Sequence, residues 1–293
     1  MGSATPSSSG GSPDAAIATG GCAQAVPSLT DYSMNGPFTA APTNANTGPG
    51  NGYTVVQPTT LGSLNGAPFK HPIITWGNGV GTSPSAYAQW LNLMATHGFV
   101  VIASNSSTDT GQDLSEGLDW MVQQNTVPGP YEGVLDTKCL FTAGHSLGGI
   151  AAINAGSHAN VAATVVLHSG GIGGSVDAGA IAITPAALQG PLFIFTSDTD
   201  GLCPPSTCVQ VVFDDAPVQS FVADLTGSNN DGHIIPLSSA NLELPGTMAW
   251  LRLWAYRDQG AKAFFWGSNA TLCASPWACQ SKQASGPARQ SGF

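Results

Sequence analysis

The stretch KCLFTAGHSLGGIAAINAGSH, Lys138 to His158, carries the reading of the whole chain. Its first part, 138–144, is apolar with an aromatic residue and reads as a buried strand. The small-residue run 146–158 reads as a helix. Between them stands one serine in a G-x-S-x-G pattern, with Gly144 and Gly148 two residues to either side of Ser146. The pattern alone is weak, but a strand before it and a helix after it make it informative. At such a turn the serine takes a strained backbone conformation, and the glycines keep Cβ atoms out of a crowded crossing. The helix N-terminus directs amides and a positive dipole at any oxyanion formed there, so the Leu147 amide is an expected donor. The competing reading, a serine that merely caps a helix, explains the glycines less well.

Working outward, 53–58, 71–76, 98–104, 162–169, 191–198 and 218–225 read as further strands, rich in β-branched and aromatic residues. Several are apolar on both faces, which suits parallel strands covered by helices on both sides. Helices are expected at 84–97, 110–125 and 244–258. The alternation predicts an α/β class with a mostly parallel central sheet. Residues 1–30 form a Ser/Gly/Pro-rich leader, 31–280 a single domain and 281–293 a polar tail in this reading.

A serine hydroxyl attacks a carbonyl only if a neutral imidazole takes its proton, and a carboxylate fixes that imidazole's tautomer. In a sheet of this kind the chain order is Ser, Asp, His. Asp200 lies in TDGLCPP (199–205), just past the strand at 191–198, with Asp198 as competitor. His233, in the loop GSNNDGHIIPL, is the only histidine after Asp200. His168 is the rival base, although it would require the order Ser, His, Asp. The second oxyanion donor is expected in TWGNGVGTSPS, with Asn78 first and Gly77 or Gly79 as neighbours. Trp76 and His145 are expected to border the substrate.

Composition narrows the partners. Seventeen acidic against seven basic side chains give a net charge of −10, which opposes binding to nucleic acid or an anionic membrane. No apolar run is long enough for a transmembrane span. Close spacing suggests disulfides Cys203 with Cys208 and Cys273 with Cys279, leaving Cys22 and Cys139 as a third pair. The cysteines show no zinc-site spacing, and no metal or cofactor is expected. Even cysteine pairing and sparse lysine suit an exported, secreted protein. The expectation is that its signal peptide is absent from this chain, with Met-Gly-Ser in its place, and that it is a monomer.

Three motifs carry a family resemblance. ATHGFVVIASNSST (95–108) is similar to a Ser-His-Gly-Phe-Val-Val strand, AGHSLGG (143–149) to an Ala-Gly-His-Ser-Met-Gly-Gly elbow, and TDGLCPP to an Asp-x-x-Ala-Pro acid loop. Together they resemble the cutinase-like polyester hydrolases, including poly(ethylene terephthalate) hydrolases, and their dienelactone-hydrolase and chlorophyllase-like relatives. The resemblance runs from about GPFTA (36–40) to Cys279. It implies an α/β-hydrolase fold with Ser146 as nucleophile, Asp200 as acid, His233 as base, and Leu147 and Asn78 as amide donors. It also implies a closing C-terminal disulfide at Cys273 and Cys279. The chain departs from the family where Asn78 replaces an aromatic residue and where HSGGIGG (168–174) lacks a tryptophan. The segment Ser169 to Gly190 is longer than usual and reads as a cap or as filler.

The expected activity is therefore a serine carboxylester hydrolase acting on short- to medium-chain esters or polyesters. The alternatives are a lactone or dienelactone hydrolase, a lipase, or a non-catalytic binding protein of the same fold.

Overall fold

The structure is a computed structural model that describes residues 22, 24, 26–171, 182–227, 231–238, 241–267 and 270–285. Eleven strands are found among them: β1 (Asn44–Thr47), β2 (Tyr53–Val56), β3 (Ser63–Leu64), β4 (Ala67–Pro68), β5 (His71–Gly77), β6 (Val100–Ser104), β7 (Leu135–His145), β8 (Val161–Leu167), β9 (Leu192–Ser197), β10 (Ser220–Leu225) and β11 (Trp277–Lys282). The helices are α1 (Ala88–Thr96), α2 (Gln112–Gln124), α3 (Leu147–Ala155), α4 (Gln210–Asp215), α5 (Leu244–Tyr256) and α6 (Gln259–Phe265).

Nine strands form one sheet in the order β1-β2-β6-β5-β7-β8-β9-β10-β11. From β6 to β10 every neighbouring pair is parallel, while β1, β2 and β11 attach antiparallel at the two margins. The central strands β5, β6 and β9 are buried along their whole length, as their continuous apolar composition requires. Side chains alternate between two cores. Phe193 and Phe195 face a core that includes Trp90 of α1 and Trp250 of α5, whereas Ile194 faces Ile150 of α3 and Val212 of α4. The class is α/β, with helices on both faces of the sheet.

Element ends differ from the sequence expectations in instructive ways. The helix expected at 84–97 begins as a 3-10 turn, Pro84–Tyr87, before α1. The strand expected at 162–169 stops at Leu167, because His168 turns to φ 51. Strand β11 is polar and alternately exposed, typical of a sheet edge and weak as a sequence signal. The chain upstream of residue 31 is also part of the fold. Cys22 is bonded to Cys139, and Pro27 accepts a hydrogen bond from Arg252 at 2.5 Å, so the leader of the sequence reading is shorter than 30 residues. Residues 1–21 lie outside the described residues, as do 172–181 of the expected cap and 286–293 of the expected tail.

All six cysteines are paired, as Cys22–Cys139, Cys203–Cys208 and Cys273–Cys279. The second pair closes the loop that follows β9.

Candidate active site

The site forms where β7, β8 and β9 end. Strand β7 runs into α3 through Ser146, whose backbone sits at φ 55, ψ −125. This is an uncommon conformation for a residue with a side chain, and it is tolerated only where the surroundings determine it. Those surroundings are three glycines in contact. A Cβ on Gly144 would stand 2.1 Å from the Gly148 oxygen, and one on Gly148 would stand 2.1 Å from the Gly77 carbonyl. Only hydrogen allows β5, β7 and the first turn of α3 to approach so closely.

The loop after β9 carries Asp200, and the 3-10 turn Gly232–Leu237 carries His233. His233 Nε2 lies 2.9 Å from Ser146 Oγ, and His233 Nδ1 lies 3.0 and 3.1 Å from the two carboxylate oxygens of Asp200. Asp231 starts that turn by accepting the His233 amide at 3.0 Å. Asp200 Oδ1 also accepts the amides of Leu202 and Cys203, at 3.0 and 2.8 Å. Burial would raise the pKa of Asp200, yet hydrogen bonds from His168, His233 and the Cys203 amide hold it well below the usual carboxylate range. The carboxylate is thus ionised at neutral pH. Asp198, the competing acid, instead accepts the Gly227 amide at 2.9 Å.

A hydroxyl, an imidazole and a buried carboxylate in hydrogen-bonded series can generate an alkoxide nucleophile and return the proton to a leaving group. The sequence reading expects the amides of Leu147 and Asn78 as oxyanion donors, and both residues lie beside Ser146 in the fold. Leu147 is the first residue of α3, where amides have no intrahelical acceptor. Asn78 follows β5, and a Cβ on Gly148 would stand 2.6 Å from its amide nitrogen, so the loop after β5 lies against the first turn of α3. The Asn78 side chain anchors the loop, donating to the carbonyls of Ser104 and Ser106 at 2.6 and 2.9 Å.

Two expected substrate contacts are not where the sequence reading put them. Trp76 is fully buried, packed against Tyr87 and Trp90 at 5.1 and 5.9 Å between ring centroids, so no substrate reaches it. An apolar residue near a strand end on the helix-covered face goes into the core. His145 is also buried, with Nδ1 on Tyr87 Oη and Nε2 on the His233 carbonyl, both at 2.8 Å. Burial pushes its pKa down to about 3, so it is a neutral strut for the His233 turn.

His168, the rival base, has both nitrogens engaged elsewhere. Its Nδ1 lies 3.2 Å from Asp200 Oδ2 and its Nε2 lies 2.5 Å from Glu243 Oε1. It therefore shares Asp200 Oδ2 with His233 and has no nitrogen left for Ser146. Tyr87 and Glu243 were not singled out by the sequence. Tyr87 Oη accepts the Gly79 amide at 3.0 Å and joins the oxyanion loop to His145. A lone acid ahead of an apolar helix is the one signal that could have drawn attention to Glu243.

Among the described residues, no cluster of three or more His, Cys, Asp or Glu side chains is suited to a metal ion. No helix among them is long and apolar enough to cross a membrane. No protein-family model matches the chain, and no curated protein matches it. The assignment of chemistry therefore rests on the geometry and on the motifs.

Proposed function

We propose that the protein is a secreted serine carboxylester hydrolase of the α/β-hydrolase type, working through an acyl-enzyme. The carrying observation is the continuous series from Ser146 Oγ through His233 to Asp200, with steps of 2.9 and 3.0 Å, built on a serine at positive φ. Ser146 Oγ attacks the ester carbonyl as its proton passes to His233 Nε2. The amides of Leu147 and Asn78 receive the oxyanion, and His233 returns the proton to the departing alcohol. Water then repeats the sequence on the acyl-enzyme and releases the acid. Similarity of the three motifs to the cutinase-like polyester hydrolases supports the same chemistry.

The rim supports an uncharged, apolar substrate. Val80, Leu202, Ile234 and Leu237 are among the few exposed large apolar side chains, and they sit within four residues of Asn78, Asp200 or His233. Exposed apolar side chains gathered around one site mark a contact surface for something apolar. A short- to medium-chain ester or an aliphatic polyester fits this rim and the net charge of −10. Three disulfides support an oxidising, extracellular setting.

The test is hydrolysis of p-nitrophenyl esters over a range of acyl lengths, with soluble-product release from aliphatic and aromatic polyester films measured alongside. A fluorophosphonate should label Ser146, and Ser146→Ala should lower ester turnover by about 10⁴-fold or more. Turnover retained in Ser146→Ala above about a thousandth of the parent would overturn the reading. A sharp optimum at long acyl chains with interfacial activation would replace it with a lipase.

A further inference from the structure

Beyond the Ser146–His233–Asp200 series the hydrogen bonds continue inward, through Asp200 Oδ2 to His168 Nδ1 and from His168 Nε2 to Glu243 Oε1. The side chains of Asp200, His168 and Glu243 are all fully buried. Such a cluster is costly to keep. Removing charges from water costs several kcal/mol per ion, and apolar replacements of similar volume are often as stable or more so. Glu243 Oε2, in addition, is buried with no hydrogen-bond partner among the described residues, which adds to the cost. Stability alone does not account for these residues.

The backbone gives a second, independent sign. Among the described residues, seven residues other than glycine have positive φ. Four are asparagines, which tolerate that region, and Arg257 caps the end of α5. The other two are Ser146 and His168, at φ 55 and 51, immediately after the neighbouring strands β7 and β8. Each strand ends in a strained residue that aims its side chain into the same hydrogen-bonded series. Backbone strain of this kind persists where surrounding structure imposes it, and it concentrates at functional sites.

We propose that His168 and Glu243 are positioning residues for the reaction above: Glu243 holds the His168 ring, and His168 locks the Asp200 carboxylate in the orientation that aligns His233 on Ser146. Asp200 Oδ1 is held by two loop amides, while Oδ2 is contacted, among the described residues, by His168 and by the His233 it must orient. Without that contact the carboxylate can rotate away from a bidentate approach to His233. Glu243 immediately precedes the first turn of α5, whose dipole favours a carboxylate there, and its own amide is fixed by Asn241 Oδ1 at 3.0 Å. The inference rests on the esterase reading.

The ionisable groups around His168 are Asp200 on the loop after β9, Glu243 before α5, His233 and His145 with ring centroids 6.2 and 6.4 Å away, and Asp224 on β10. Burial opposes a charge on His168, but Glu243 and Asp200 outweigh it and push its pKa up to about 9. A cationic His168 beside Asp200 favours the ionised carboxylate that orients His233.

The test compares Glu243→Gln, His168→Phe and His168→Gln with the parent, active sites being counted by fluorophosphonate labelling. For His168→Phe, kcat should fall about 10- to 100-fold with KM within twofold, since a misaligned base harms the chemical step and not binding. His168→Gln, which keeps an N–H donor without the charge, should recover part of that loss. Glu243→Gln should lower kcat about three- to tenfold with KM within twofold, because a less firmly held His168 ring loosens Asp200 and not the substrate. A merely structural pair would lower Tm and yield without lowering kcat per labelled active site. A kcat per labelled site within twofold of the parent in Glu243→Gln would overturn the proposal, even if His168→Phe fails to fold. A parent that neither takes the label nor hydrolyses esters would overturn the esterase reading itself, a distinguishable outcome.

Discussion

Two imidazoles approach Asp200, one toward the surface and one from the interior, and each presents its Nδ1 to the same carboxylate. His233 Nε2 meets Ser146 Oγ at 2.9 Å, whereas His168 Nε2 meets Glu243 Oε1 at 2.5 Å. His233 rides on a short turn beside exposed Ile234, while His168 is wholly buried at the end of a strand. The rings are alike, so the difference lies in the partner on the far nitrogen. In the proposed esterase reading, a hydroxyl there gives up its proton to the ring, which makes His233 the proton carrier. A carboxylate there favours the protonated ring, which makes His168 a support.

Breaking the shared centre should have the largest effect. Asp200→Asn should lower kcat by about 10⁴-fold, because an amide presents the wrong partner to the Nδ1–H and leaves the base in the wrong tautomer. Stopped-flow or steady-state ester hydrolysis reads this directly, and a loss under about tenfold would remove Asp200 from the role of orienting acid.

Next come the two disulfides that frame the regions. Cys22–Cys139 joins residues 117 apart, and its removal by Cys22→Ser with Cys139→Ser should cost about 5 kcal/mol of stability, read as a lower Tm. Cys203–Cys208 spans only 5 positions and should cost about 2 kcal/mol. The smaller loop nonetheless holds the Cys203 amide on Asp200, so Cys203→Ser with Cys208→Ser should lower kcat about tenfold. The long-range pair should leave kcat per active site near the parent value, and a reversal of this pattern would detach the acid loop from the reaction.

A smaller effect separates the two histidine environments by pH. His168 is raised from 6.5 to about 9 in the folded state, so its contribution to stability is full below pH 6.5 and is lost as pH rises through about 9. His145 and His97 are depressed by burial to about 3 and about 4, so they remove stability as pH falls below 6.5. Tm of the parent should therefore fall on both sides of a maximum near neutrality. Calorimetry of His168→Gln should show a flatter alkaline side and an unchanged acid side. Equal alkaline slopes in the two proteins would sink this assignment of charge to His168.

The smallest effect is expected at Asp198→Asn. Its carboxylate takes the Gly227 amide and faces neither imidazole, so ester turnover should stay within about twofold.

Much of the site was legible because its signals are local. Gly144, Ser146 and Gly148 lie within five residues, the strand before them and the helix after them have plain compositions, and the turn leaves little choice of backbone. Asp200 and His233 were found by chain order along an alternating α/β pattern. Trp76 and His145 were misplaced for a common reason. Sequence shows a side chain near a strand end, but whether it faces the rim or the core depends on which helix covers that face. Burial against Tyr87 and Trp90 settles Trp76, and the Tyr87 hydroxyl settles His145.

By itself, the sequence determined the α/β class and the strand-to-helix serine, and it singled out Asp200 and His233, which the fold brings beside Ser146, because periodicity, turn glycines and spacing are properties of neighbouring residues. Only the tertiary structure decided that His168 and Glu243, 75 positions apart in the chain, meet behind Asp200. No local pattern records that meeting. It arises when β8 and the start of α5 pack together, burying two polar side chains that are tolerated there because they hydrogen-bond each other.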